Sequence, residues 1–198
     1  PQKMKYIYNQ EENVNFTMMY SADPLFTKKE CERIKQLGDQ LREENATTFG
    51  GATSARKGRV AWLPKIQQTK FVYEKIFNLA EKANQENWRF DLIGLLEDCQ
   101  YTTYESHEEE SGDFYGCHLD IDGPSGVKRK VSAVVQLTDP SEYEGGDLEI
   151  YTCDKPFYAP KKQGYCLLFP SFLLHKVTPV TKGKRNSLVL WVSGKPFK

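Results

Sequence analysis

Between residues 130 and 138 the chain alternates, with Val131, Ala133, Val135 and Leu137 at every second position and Ser132, Val134 and Gln136 between them. A period of two places the first set on one face of a strand, so this segment predicts a core β-strand. Short apolar or alternating runs at 60–63, 88–92, 95–104, 148–151, 164–169, 175–177 and 187–192 predict further strands, and residues 5–20 an early strand or two. Turn chemistry separates them at Asp139-Pro140-Ser141, at Glu144-Gly145-Gly146-Asp147 and at the basic Lys182-Gly183-Lys184, while 156–160 reads as loop. Two segments follow the helical period instead. Thr27 and Glu30 form a capping box ahead of Cys31, Ile34, Leu37, Gly38 and Leu41, predicting a helix to about Glu44. Val72, Ile76, Leu79, Ala80 and Ala83 predict a second helix over 69–87. Helices followed by many short antiparallel strands point to an α+β, mainly β protein with a sandwich or barrel of two sheets. No repeat or linker divides it, so 1–198 reads as one domain.

Residues 47–59 are rich in Gly, Ser and Thr and carry Arg56, Lys57 and Arg59, which reads as a mobile loop, either a lid beside a pocket or a plain linker. Residues 105–112 form an acidic insert, and His107 within it reads as part of a solvated turn. Lys plus Arg and Asp plus Glu both number 27, so no global charge points to nucleic acid or an anionic membrane. No apolar run is long enough to span a bilayer. The five cysteines include no CxxC, which reads against a zinc site or a disulfide framework and suggests a reducing, cytoplasmic setting. Cys117 is expected to be a core thiol on the face opposite His118.

The chemistry gathers around Tyr115-Gly116-Cys117-His118-Leu119-Asp120. His118 and Asp120 stand at i and i+2, so on a strand they leave the same face. They are either two polar residues on a strand or two of the three ligands of a facial 2-His-1-carboxylate iron site, which would take His175 as its third.

His118 and Asp120, then the Gly145-Gly146 turn, then His175, and Arg185 ten residues later form an ordered set. With 60–64 (VAWLP), 88–92 (WRFDL), 137–140 (LTDP), 143–148 (YEGGDL) and 169–185, this set resembles the Fe(II)/2-oxoglutarate-dependent dioxygenases over nearly the whole chain. Within them it looks most like the prolyl hydroxylase branch, and closest to PKHD-type hydroxylases. The resemblance implies a double-stranded β-helix (jelly-roll) core over about 96–198, with N-terminal helices packed on the major sheet as a support over about 1–95. It implies that His118, Asp120 and His175 hold Fe(II) and that Arg185 holds the far carboxylate of 2-oxoglutarate, a role suited to a planar guanidinium. Tyr104 is implied as a further co-substrate contact, with Tyr101 a substitute because the acidic insert lengthens the gap to His118. Thr178 and Ser187 are weaker candidates for the same ligand. Tyr115, Asp122, Trp191, Arg56 and Arg59 are implied on the substrate side. The implied activity is hydroxylation of a prolyl residue in a protein or peptide, of the procollagen-proline or peptidyl-prolyl 4-dioxygenase type, with succinate and CO2 as co-products and ascorbate as an accessory. No membrane or nucleic-acid partner is expected. A small-molecule or non-prolyl hydroxylase, or a silent binding module, is the alternative.

Overall fold

The computed structural model describes residues 15–17, 19–46, 55–108 and 111–196. Most of the expected early strand and of the loop at 47–59 lie outside these residues. The helices are α1 (Lys28–Asp39) and α2 (Lys70–Ala83), the second continued by a π turn at Asn84–Trp88. The strands are β1 (Tyr20–Ala22), β2 (Glu44–Asn45), β3 (Arg56–Lys57), β4 (Arg59–Leu63), β5 (Leu92–Gly94), β6 (Cys99–Glu105) and β7 (Phe114–His118). They continue with β8 (Arg129–Gln136), β9 (Tyr143–Gly145), β10 (Leu148–Tyr151), β11 (Pro156–Tyr158), β12 (Cys166–Pro170), β13 (Leu174–Val177) and β14 (Val180–Gly194).

The strands form two antiparallel sheets. The larger runs β1-β12-β8-β14-β6-β4-β2, with β5 and β9 also pairing β14; the smaller runs β11-β10-β13-β7-β3. Strands from before residue 95 thus join both sheets, across the expected boundary between helical support and core. The alternation in β8 sorts its side chains between two clusters. Val131, Ala133 and Val135 share one with Ile34 of α1, Val72, Ile76 and Ala80 of α2, and Leu188 and Leu190 of β14. Val134 faces the other way, into a second cluster that joins Leu167 and Phe169 of the large sheet to Leu148, Ile150 and Val177 of the small one. With both faces of β8 covered, Ser132 and Gln136 are buried too.

Several expectations need correction. Helix α1 starts as its capping box predicts, with Glu30 N–H donating to Thr27 Oγ1 at 3.2 Å and Thr27 N–H to Glu30 Oε2 at 2.8 Å. It stops at Asp39 rather than near Glu44, because Glu44 and Asn45 pair with Val60 and Arg59. The strand expected at 88–92 begins only at Leu92. Before it, Arg89 sits in the left-handed region at φ 54° and the Asn84 side chain takes both the N–H and the C=O of Phe90. Residues 156–158 are strand rather than loop because they pair with Glu149, Ile150 and Tyr151. The basic turn at 182–184 is part of the continuous β14, in which Gly183 takes φ 72°. Cys117 is exposed, not in the core.

Candidate active site

Strand register brings the two histidines together. His118 ends β7 and lies directly opposite His175 of β13, with ring centroids 4.1 Å apart. Asp120 follows two residues after His118, anchored by its N–H to the Ser171 carbonyl at 2.8 Å. His118 Nε2 lies 3.5 Å from Asp120 Oδ1, and His175 Nε2 lies 3.4 Å from Asp120 Oδ2. The three ligand atoms lie within 4.8 Å of one another. Both imidazoles are oriented from behind, His118 Nδ1 by the Gly116 carbonyl at 2.8 Å and His175 Nδ1 by the Leu173 carbonyl at 2.9 Å. These bonds put the proton on Nδ1 and leave the Nε2 lone pairs free for a metal. Tyr115 stacks on His118 at 3.4 Å and Phe169 meets His175 edge-on, fixing both ring planes.

The carboxylate is held as firmly. Asp120 Oδ2 accepts from Ser132 Oγ at 2.8 Å and from the Trp191 indole N–H at 2.9 Å. Burial works against its charge, but the neighbouring His175, His118 and the indole donor outweigh it and hold Asp120 well below the usual carboxylate range. Burial, helped by the nearby His175, pushes His118 down to about 4, so it is neutral at pH 7. Burial also opposes charge on His175, but the Asp120 carboxylate overrides it and raises that histidine. A divalent metal at this site would therefore compete with the proton that Asp120 favours on His175. Trp191→Phe keeps the ring but removes the donor to Asp120; we expect it to weaken metal affinity by about tenfold to a hundredfold, which titration of the metal-free protein would measure.

The triad opens into a cavity of about 340 Å³. Inside it lies Arg185, with 1% of its surface exposed. Its Nη2 donates to Gln136 Oε1 at 3.0 Å and its Nη1 reaches Ser187 Oγ at 3.5 Å, while Nε has no partner. Among the described residues no carboxylate pairs with it. A buried guanidinium without an anion is costly to desolvate. This cation in a cavity shared with two imidazoles and a carboxylate fits an anionic ligand that reaches toward the metal position. Tyr104 stands opposite Arg185 in the β6–β14 register, its ring centroid 5.6 Å from the guanidinium carbon.

Ser187, Tyr104, Tyr115, Arg56, Trp191 and Asp122 all line this cavity. Arg56 stacks on Tyr115 at 4.3 Å. Asp122 is exposed and paired with Lys128. Three expected contacts lie elsewhere. Thr178 binds Asp147, its hydroxyl accepting the Asp147 N–H at 2.8 Å. Arg59 is taken by Glu43 at 2.8 Å and Glu105 at 2.9 Å. Tyr101 points away to Asp39 of α1 at 2.8 Å, leaving Tyr104 as the tyrosine in the cavity. His107 pairs with the buried Asp113 at 2.7 Å. The sequence reading missed Ser132, Gln136, Arg129 and Trp62, all of which touch the site or its ligands. The alternating polar positions of β8 were the available signal for the first two.

Residues 99–193 match the family described as the 2OG-Fe(II) oxygenase superfamily. A PKHD-type hydroxylase from Synechococcus sp. (strain CC9311) is 40% identical over 166 residues, which cover 82% of this chain and 72% of that protein. A PKHD-type hydroxylase from Idiomarina loihiensis is 37% identical over 83 residues, covering 42% of this chain and 38% of that protein, so there the match spans well under half of the relative. Among solved structures, a prolyl hydroxylase from Trichoplax adhaerens in complex with a hypoxia inducible factor oxygen degradation domain peptide fragment aligns with a TM-score of 0.73. It is 18% identical and covers 88% of this chain and 83% of that one, a likeness of fold. The His-Asp-His donor set fits Fe(II), the buried arginine fits a dicarboxylate such as 2-oxoglutarate, and the chain belongs to the 2OG-Fe(II) oxygenase superfamily.

Proposed function

We propose that the protein is an Fe(II)- and 2-oxoglutarate-dependent hydroxylase that acts on a prolyl residue of a protein or peptide. The observation that carries this reading is the buried Arg185, which no carboxylate pairs among the described residues, in one cavity with His118, Asp120 and His175. The names of the relatives support a hydroxylase, and the structural neighbour that is a prolyl hydroxylase in complex with a peptide supports the prolyl assignment. The two antiparallel sheets, with strands from both ends of the chain, support a double-stranded β-helix working as one catalytic domain.

In this reading, His118, Asp120 and His175 would hold the iron on one face. Bound iron would supply the oxygen chemistry that couples oxidative decarboxylation of 2-oxoglutarate to insertion of one oxygen atom into a C–H bond. The balance is substrate C–H, O2 and 2-oxoglutarate going to C–OH, succinate and CO2. The chain's own part is placement. Arg185, supported by Gln136 and Ser187, would bind the far carboxylate, and Tyr104 would close the same end. Tyr115, Trp191 and Val189 would exclude water from the reacting centre, while Trp62 and Asp122 flank the entrance.

Gly146 belongs to this support. It sits at φ 60°, and a Cβ there would lie 2.9 Å from Arg185 Cδ and 2.9 Å from Val180 Cγ2. Gly146→Ala is expected to cost about 1–2 kcal/mol of stability through the left-handed backbone and to raise the KM for 2-oxoglutarate by displacing Arg185. Thermal unfolding and co-substrate titration would check the two effects separately.

The substrate assignment is tested by incubating the protein with Fe(II), 2-oxoglutarate and oxygen against free proline and a panel of proline-containing peptides. A mass gain of one oxygen on a peptide prolyl residue is expected. Modification of free proline or of another side chain alone would replace the peptidyl-prolyl reading with the small-molecule or non-prolyl one.

A further inference from the structure

Arg129, the first residue of β8, lays its guanidinium carbon 3.6 Å from the centre of the Trp191 ring. Glu97 grips the same guanidinium through two bonds, Nε to Oε2 at 2.7 Å and Nη2 to Oε1 at 2.5 Å. The two side chains are only 11% and 10% exposed. An ion pair this buried adds little net stability over well-packed apolar side chains, so stability alone is a weak account of it. What the pair does is fix a plane. A guanidinium held at two donors cannot swivel. An indole with that guanidinium 3.6 Å over its ring is then constrained about its own side-chain torsions, and its N–H stays aimed at Asp120 Oδ2, 2.9 Å away.

The backbone after Asp120 rests on the same pair. A Cβ added at Gly123 would lie 3.0 Å from Arg129 Nε and 3.0 Å from Glu97 Oε2, so the chain crosses the pair closely enough that a side chain there would press on it. Its N–H closes the turn on the Val127 carbonyl at 2.8 Å, and Arg129 N–H bonds the Ile121 carbonyl at 3.0 Å. Asp120 is thereby located from two sides, through the indole and through the segment that follows it.

We propose that Glu97 and Arg129 are positioning residues for the carboxylate of the metal centre, acting through the Trp191 indole to set the orientation of Asp120. The proposal rests on the metal-centre reading of His118, Asp120 and His175, and adds to it a pair that touches neither metal nor co-substrate in that reading. Partners that orient a ligand in this way are commonly worth about tenfold to a hundredfold in metal affinity. A pair one step further out is expected at the lower end of that range.

The test is anaerobic titration of the metal-free full chain with Fe(II), and in parallel with Co(II), whose absorption spectrum reports ligand geometry. Arg129→Lys keeps a cation for Glu97 but loses the guanidinium over the indole and its paired hydrogen bonds to Glu97. It is expected to weaken Fe(II) binding by about tenfold and to shift the Co(II) spectrum. The decisive comparison is with Trp191→Phe, which already lacks the indole donor. If the pair acts through that donor, adding Arg129→Lys to Trp191→Phe lowers affinity much less than Arg129→Lys does alone, the non-additivity expected of residues in one chain of contacts. Wild-type affinity and an unshifted spectrum in Arg129→Lys, or losses that simply add in the double variant, would overturn the proposal. Should Arg129→Lys not fold, Glu97→Gln, which keeps the shape of the pair, is judged by the same criteria. Failure of the unaltered protein to bind either metal is a different result: it would overturn the metal-centre reading itself.

Discussion

His118→Ala is expected to abolish Fe(II) binding and 2-oxoglutarate turnover while leaving the fold in place. His118 supplies one of three donor atoms that lie within 4.8 Å of one another, and no other His, Cys, Asp or Glu joins that group among the described residues. Its ring is neutral at pH 7, so its removal leaves no unpaired charge; Asp120 keeps Ser132, Trp191 and His175 as partners. What is lost is the stack with Tyr115, the contact with His175 and the bond to the Gly116 carbonyl. Circular dichroism should therefore be unchanged, with turnover at background. Retained turnover would remove His118 from the metal assignment.

Arg185→Ala is expected to weaken 2-oxoglutarate binding by about 2 kcal/mol or more, roughly thirtyfold, as for loss of a buried, charge-assisted pair. The guanidinium is the one fully buried cation among the cavity's lining residues, and the other cations on its strand are engaged elsewhere, Lys184 with Glu105 at 3.7 Å and Lys182 with Glu144 at 3.1 Å. The effect should appear in anaerobic binding of 2-oxoglutarate to the Fe(II)-loaded protein. Fe(II) affinity itself should hold, because Arg185 touches none of the three donors. Unchanged co-substrate affinity would move the anion site elsewhere in the cavity.

The parts of this architecture that were legible in the sequence are those set by local physics. The capping box at Thr27, the apolar face of α2 and the alternation in β8 each fix an element within a few residues. The candidate metal donors were legible as an ordered set, His118 and Asp120 with His175 and Arg185 downstream, and not from the strand-face spacing alone, since β7 ends at His118 and Asp120 lies just past it. Register was not. That His118 lies opposite His175, and Tyr104 opposite Arg185, depends on which strands become neighbours, and no local pattern contains that choice. Thr178 illustrates the cost. It lies three residues after His175, but β13 ends at Val177, so its hydroxyl turns to Asp147 instead of the cavity.

Burial on both faces hid the rest. A strand with one wet face shows its polar residues to solvent, and Ser132 and Gln136 look like such residues. Here the second face of β8 is covered by the small sheet, so they become the supports of Asp120 and Arg185. The opposite error occurred at Cys117, where an apolar thiol in a central strand of the small sheet faces outward.

Succinate release tests most directly whether this cavity couples 2-oxoglutarate to oxygen through iron. The full chain would be supplied with 2-oxoglutarate and oxygen, with and without added Fe(II), beside His118→Ala under the same conditions. Succinate is expected only with Fe(II) and oxygen both present, and none above background from the variant. Binding of neither Fe(II) nor 2-oxoglutarate, with no succinate under any condition, would contradict that coupling and leave a fold of this family without its chemistry.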